Sequence, residues 1–564
     1  MAGVIVGLTL PLPSREATPP GLSWRLELVR TPQLVLEIQA TLDGAPSGTT
    51  ELELSDSLER IVAGGEDVEW LEASGADGRP LSVERPEPAL WIVRHLERER
   101  LSVRYRLPAN EHQDSGDLAV NGRPILNEYL FHAFGHLVLV RPAHLRRQSV
   151  RASLSWSGVE ALGWKAASSF GESSEPIEVL LPLEDVLDSV FLAGEIELVH
   201  REVRGKRVLA AVAGDEWRFE PAAFADAVAS IAEFQRAFFD DDGDSFFLAS
   251  LIPVGRTMTA RSHRHGMAFT QSFALRVPPR AAMDDDMRGL IAHELFHAWT
   301  RRALAPVEPT ELPSWFSEGF TQFYAQRLLV RAGEIPASAW LSSLNDTLAD
   351  YFSSAVRNAP NSAIYAGRLL DNDIFQLPYL RGEIVALLAD RAIRRASQDR
   401  ASLDDLMRAV VREARHEGKR FRAEDLLERI ARLAGREYAE TIRAIVERGD
   451  RPRLDPLLFE PCFELYTGSG GPFDPGFDLE SSITDGTVRG VKEGSLAWKS
   501  GLRDGWELLS FQVVEGKEGR EAIVQAQLEE SLYLLHYPPL GECAVEVPQL
   551  RLRAGAELEP CAGR

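Results

Sequence analysis

A multi-domain α+β chain is the fold class that this sequence predicts, on two changes of apolar periodicity and on its length. From Leu22 to about Val212 apolar and polar residues alternate; from Glu220 the apolar residues recur at helical spacing; near Asp455 the pattern changes again. At 564 residues the chain exceeds what one hydrophobic core serves. The three stretches give an antiparallel β domain over 1–213, a mostly α-helical domain over 214–454 and a smaller domain over 455–564.

In the first domain Leu34, Leu36, Ile38 and Ala40 alternate with Val35, Glu37 and Gln39. Leu101, Val103, Tyr105 and Leu107 alternate with Ser102, Arg104 and Arg106, and Val150, Ala152, Leu154 and Trp156 with Arg151, Ser153 and Ser155. Period-two runs between Gly, Pro and Asp turns read as half-buried antiparallel strands, arranged as a sandwich or saddle-shaped sheet. No chemical constellation stands out among them, so the expected role is structural.

Composition is that of an ordinary globular protein, 45% apolar and 26% charged. A net charge of -23 argues against nucleic acid and against an anionic membrane surface. No stretch reaches the length of a membrane span. Met1 to Pro13 is apolar but lacks a basic start, so the cytoplasm is the expected compartment, with export open if the true start carries a signal peptide. Cys462, Cys543 and Cys561 give no disulfide framework or cysteine metal site; free thiols are expected, with a single bridge inside the last domain left open.

The second domain opens on a helix lined by Phe224, Val228, Ile231, Phe234, Phe238 and Phe239, which breaks at Asp240-Asp241-Asp242-Gly243-Asp244. That run lacks the spacing and distal Glu of an EF-hand and reads as a solvated turn. A strand follows from Ser245 to Leu251, and an edge strand from Gly266 to Val277. His263 and His265, among arginines just before it, read as polar loop surface.

The chemistry concentrates at Ile291 to Thr300, I-A-H-E-L-F-H-A-W-T. Asp284, Asp285 and Asp286 offer an N-cap and first-turn acids for a helix whose apolar face is Met287, Leu290, Ile291 and Leu295. His293 and His297 stand one turn apart, so both imidazoles can reach one metal ion, and Glu294 is turned by about 100° from His293 toward a metal-bound water. A second helix begins near Pro313 in P-S-W-F-S-E-G-F-T-Q-F-Y, with Trp315, Phe316, Phe320, Phe323 and Tyr324 as its apolar face. Packed antiparallel to the first, it returns Glu318 to the metal. Two His and one Glu leave a fourth zinc position for water, as hydrolysis requires.

H-E-L-F-H-A-W followed by W-F-S-E-G-F-T-Q-F-Y resembles the gluzincin metallopeptidases, and within them the glycyl aminopeptidase family. The resemblance implies an N-terminal β domain, a thermolysin-like catalytic domain and a C-terminal PDZ domain. It implies one Zn²⁺ per chain held by His293, His297 and Glu318, with Glu294 as general base. Leu377-Pro378-Tyr379-Leu380-Arg381-Gly382 resembles the family's P-Y-x-K-G segment before a long helix, with Arg381 in place of lysine. By that match Tyr379 donates its phenolic hydrogen bond to the oxyanion. Placing Gly266 on the second glycine and Ser272 on the serine of the family's G-G-L-E-H-x-x-S strand implies that Gly266, Met267 and Ala268 bind substrate, with Phe269 at the family's histidine. Ala268 stands where the relatives carry the glutamate that holds the substrate's free amino group, and a methyl group cannot do that.

A charge-laced helical lobe is expected over 402–448, on a stripe of Leu406, Val410, Leu426, Ile430, Leu433, Ile442 and Ile445. Gly486-Thr487-Val488-Arg489-Gly490-Val491 and E-G-S-L-A-W-K-S-G-L-R-D-G-W-E-L-L-S-F then resemble a PDZ core, with Leu496 for the usual proline and Trp506 for aspartate. Gly476, Phe477, Asp478 and Leu479 would form its carboxylate loop, with a peptide C-terminus as ligand. The expected function is therefore a zinc metallopeptidase acting on peptides, aminopeptidase-like. An endopeptidase of the same fold stays open because of Ala268. A non-catalytic zinc protein that binds peptides through the PDZ-like domain also stays open, although the intact Glu294 speaks against it.

Overall fold

The computed structural model describes residues 19–30, 32–54, 67–110, 123–172, 175–254, 264–305, 313–367, 372–470, 474–479, 481–482, 486–516, 519–529, 531–541 and 545–563. The stretch Met1 to Pro13 and His263 lie outside them. Helices of more than ten residues are numbered in order below.

Alternation builds the N-terminal sheet. Its six strands run in the order Ile177–Pro182, Ser149–Ser157, Gly21–Arg30, Leu34–Asp43, Arg100–Pro108, Trp70–Gly75. Trp24 faces Ala40 and Leu26 faces Ile38 across the central pair, all four buried, while Glu27 and Glu37 stand opposite each other outside the core. Period two puts most of the apolar residues on one face, with Val29 and Val35 opposite each other on the other, and this fixes the register. One pairing departs from the expected antiparallel arrangement: Gly21–Arg30 lies parallel to Ser149–Ser157. Two four-stranded sheets complete the layer over the same core.

A five-stranded sheet follows, in the order Ile196–Val203, Lys206–Ala213, Phe246–Pro253, Ser272–Val277, His265–Phe269. The hairpin over 196–213 thus pairs with strands beyond residue 213. One face of this sheet, with Leu209, Ala211, Leu248 and Ala274, packs on the N-terminal core; the other, with Val208, Ala210, Ala249 and Leu275, packs on the helices. Arg276 fastens the N-terminal side, donating to His132 Nδ1 (2.7 Å) and to the Arg123 carbonyl (3.0 Å) above the Phe134 ring. The run read as one strand from Gly266 to Val277 folds back on itself, through a turn with Gln271 at φ 53°.

The helices are α1 (Pro221–Phe239), α2 (Asp285–Ala303), α3 (Gly319–Ala332), α4 (Ala337–Ser353), α5 (Asn372–Ser397), α6 (Leu403–Glu417) and α7 (Ala423–Ala434). The acidic turn after α1 is a clasp between helices rather than a solvated loop. Asp241 accepts from Trp299 Nε1 (3.0 Å) and pairs with Arg415 (2.7 Å), and Asp244 pairs with Arg302 (2.8 Å). Asp241, Asp242 and Asp244 crowd together there because each meets a cation from another segment; Asp242 pairs with Arg204.

The C-terminal stretch forms two parts. Phe463–Gly470 and Val545–Leu552 pair as a ribbon whose residues Phe463, Val547 and Leu550 join the helical core, and Asn345 of α4 bonds both the N–H and the carbonyl of Leu550. Cys462 and Cys561, 99 residues apart, are joined by a disulfide at its base, against the expectation of free thiols. Between the ribbon strands a small unit has its own core of Phe477, Val488, Ala497, Leu502, Trp506, Val524 and Tyr537 under a three-stranded sheet. No helix among the described residues is long and apolar enough to cross a membrane.

Candidate active site

The first motif helix starts where its acids predict. Asp284 accepts the Met287 N–H (2.9 Å) as the N-cap of α2, and Arg264 clamps the same carboxylate at 2.5 and 2.7 Å. That clamp ties the start of the helix to the residue preceding the edge strand His265–Phe269. The second motif helix breaks at Glu318: Ser314–Ser317 is one turn, Glu318 caps α3, and α3 packs against α2.

Three donor atoms converge as a result. His293 Nε2 and His297 Nε2 stand 3.1 Å apart, and Glu318 Oε2 lies 3.5 Å from the first and 3.3 Å from the second. Two atoms bound at about 2.05 Å to one tetrahedral ion are separated by about 3.3 Å, so these residues fit a zinc ion. The rings are held from behind. His293 Nδ1 meets Gln322 Oε1 at 3.0 Å, and His297 Nδ1 meets Thr300 Oγ1 at 3.4 Å, itself 3.1 Å from Thr321 Oγ1.

The charges agree with that fit. Burial alone would raise the Glu318 carboxyl, but His297 and His293 outweigh it and hold it well below the usual carboxylate range. Burial likewise lowers His297, and the nearby His293 and Arg301 keep it lowered. Burial opposes a charge on His293 too, but Glu318 and Glu294 raise it above its ordinary value. An ionised carboxylate beside two imidazoles is the donor set a hard-to-borderline dication takes.

Glu294 is buried, and its side chain lies against the edge strand at Gly266. A β-carbon there would overlap Glu294 Cγ, Cδ and Oε1, so this position requires glycine for close approach rather than for its dihedral angles. Tyr379 sits inside α5, which begins at Asn372 and runs through Pro378, earlier than the sequence suggested. Its ring stacks at 5.8 Å and 27° from His293, with Phe375 one turn back at 5.9 Å. Two glycines set that distance: a β-carbon at Gly319 would overlap Gly382, and one at Gly382 would overlap the Trp315 carbonyl. The glycines after Glu318 and after Arg381 are thus the contact points of the two helices. Glu383, one turn beyond Tyr379, accepts from Thr347 Oγ1 (2.7 Å), and burial pushes it up to about 7.

On the edge strand, Gly266 and Ala268 share one side and Met267 and Phe269 the other, where they join the N-terminal core. Arg301, one turn beyond His297, donates to the Ala268 carbonyl and pairs with Asp188 (3.3 Å), which also accepts from the Thr270 N–H at 3.1 Å. A cation therefore borders Ala268. In the small C-terminal unit, Gly476 N–H is held by Asp474 (2.8 Å) and Asp478 N–H by the Arg489 carbonyl (2.9 Å), so two amides of the expected carboxylate loop are already engaged. Sequence reasoning did not single out Gln322, Arg301 or Glu383. Each stands four residues from a named site residue on a helix, a spacing that was available to find them.

Residues 286–364 match the family model described as M61 glycyl aminopeptidase, a segment that contains both motif helices. The chain resembles the gluzincin metallopeptidases. No curated protein matches it. Among solved structures, this gluzincin-like chain is similar to an aminopeptidase N family protein from Idiomarina loihiensis, with a TM-score of 0.70 at 15% identity over 96% of this chain and 100% of that one. It is also similar to an M1 zinc metallopeptidase mutant from Deinococcus radiodurans bound to a Tyr-Ser-Ala substrate, with a TM-score of 0.53 at 17% identity over 77% and 95% of the two chains. At such identities the likeness is one of fold.

Proposed function

We propose that the protein is a zinc-dependent peptidase in which His293, His297 and Glu318 hold the ion and Glu294 is the general base. The observation that carries this reading is the triangle of 3.1, 3.3 and 3.5 Å between the three donor atoms, with the Glu294 side chain packed between His293 and the bare backbone of Gly266. When bound, zinc would polarise the scissile carbonyl and acidify water at the open position. Glu294 accepts the proton of the attacking water and delivers it to the leaving amine nitrogen. Tyr379 donates its phenolic hydrogen to the carbonyl oxygen as negative charge develops there.

The test is metal content together with hydrolysis of a mixed peptide library. One zinc per chain with cleavage supports the reading; zinc without any cleavage sinks it. Tyr379→Phe is expected to lower kcat by about 10²–10³-fold with KM and zinc content little changed, the cost of one oxyanion donor. A loss confined to KM would make Tyr379 a binding residue instead.

A second reading, an endopeptidase, is favoured by one observation. Ala268 offers a methyl group, and the side chain bonded to its carbonyl is the cation Arg301. A free ammonium brought there finds no carboxylate at position 268 to pair with. On this reading a peptide and its N-acetylated copy are cleaved at similar rates; cleavage of the free peptide alone would restore the aminopeptidase. The Cys462–Cys561 bridge supports an oxidising compartment over the cytoplasm.

A further inference from the structure

We infer that Gln322 is a positioning residue that fixes the tautomer of His293. This rests on the zinc reading above. An imidazole that ligates through Nε2 must carry its proton on Nδ1, and whatever faces Nδ1 decides how firmly it does so. In this chain the group facing Nδ1 is the side-chain amide oxygen of Gln322, at 3.0 Å. An oxygen accepts and cannot donate, so it selects the Nδ1–H form and leaves the Nε2 lone pair pointing at His297 Nε2 and Glu318 Oε2.

The placement is helical arithmetic. Glu318 and Gln322 are four residues apart, so one face of α3 carries a ligand and, one turn on, the prop for another ligand on α2. Glu318 Oε2 lies off the Nε2 edge of the His293 ring while Gln322 accepts from the opposite, Nδ1 edge, and the acceptor at Nδ1 fixes which way round the ring stands. The neutral amide holds the ring without adding a second negative charge behind it, which a carboxylate would do.

Chelator competition on metal-stripped protein tests this without recourse to activity. Gln322→Leu, which keeps the size and loses the acceptor, is expected to weaken zinc binding by about 10–100-fold. Gln322→Glu, which keeps the acceptor, is expected to bind zinc at least as tightly as the wild type. A residue that merely packs would not separate the two variants. Equal affinity in Gln322→Leu and wild type overturns the inference, and so does an equal loss in both variants. Wild-type protein that takes up no zinc overturns the proposed function itself, which keeps the two failures distinct.

Discussion

Glu294→Gln is expected to lower kcat/KM by about 10²–10⁴-fold, the usual worth of a general base, while zinc content stays at the wild-type value. The substitution keeps the shape of the side chain and removes its capacity to take a proton. Gly266→Ala should come close to the same loss by a different route. Its β-carbon would occupy the space of Glu294 Cγ, Cδ and Oε1, and the edge strand is hydrogen-bonded to Ser272–Val277 and clamped at Arg264, so the acid must move. Displacing a catalytic group by about 1 Å costs roughly 10²-fold. Kinetics on a cleaved library peptide, paired with metal analysis, reads both variants. An active Gly266→Ala enzyme would mean that the strand does not place the base. An active Glu294→Gln enzyme would remove Glu294 from the chemistry and leave zinc in a structural role.

The convergence of His293, His297 and Glu318 was legible because helices turn local spacing into geometry. His293 and His297 at i and i+4 share a face whatever the rest of the chain does, and a Glu on the next helix needs only antiparallel packing to join them. The close approach at Gly266 was not legible in that way. A sequence shows that a glycine is present, not that another segment lies against it. Helical spacing could have found Arg301 but not its contact, since the acceptor is a backbone carbonyl 33 residues away on a strand whose hairpin turn was itself not read.

The fold was legible where one face of an element meets one core. Leu34–Asp43 and Ser149–Ser157 alternate and are strands; the parallel pairing of the latter with Gly21–Arg30 depends on a connection more than a hundred residues long, which no local pattern encodes. The acidic turn at Asp240–Asp244 was read as solvated because its counter-ions, Arg302 and Arg415, come from α2 and α6. Cysteine counting failed for a similar reason. Cys462 and Cys561 meet because the ribbon strands between them pair over their whole length, and that pairing lies beyond the reach of a spacing rule.

Asp390→Asn is expected to destabilise the helical domain by about 3–5 kcal/mol, the cost of leaving a buried charge without its partner. Asp390 is fully buried on α5. Its Oδ2 meets Arg327 Nη1 of α3 at 3.1 Å and Arg394 Nε at 3.0 Å, and its Oδ1 accepts the Leu403 N–H that opens α6 (3.0 Å). Arg327 is 1% exposed, and two of its nitrogens have no hydrogen-bond partner, so Asp390 is what neutralises it. An amide at 390 would turn an N–H₂ toward donors and remove the charge. Burial raises Asp390, but the guanidinium charges of Arg327, Arg394 and Arg391 prevail and hold it below the ordinary carboxylate value. A depressed native pKa means that its contribution is complete above the unfolded value, about 3.9, and is lost as pH falls through the native one. The Asp390→Asn deficit should therefore be constant through neutral pH and shrink only in strong acid. Because α3 follows Glu318 and α5 carries Tyr379, the same pair also fixes the two helices that frame the site. Urea unfolding of wild type, Asp390→Asn and the apolar pair Arg327→Met with Asp390→Leu separates the terms. The apolar pair should regain part of the loss, since the Arg327 charge goes with its partner while Arg391 and Arg394 still lose theirs. A single variant within about 1 kcal/mol of wild type would show that the guanidinium is satisfied elsewhere, and that α3 and α5 are held by packing alone.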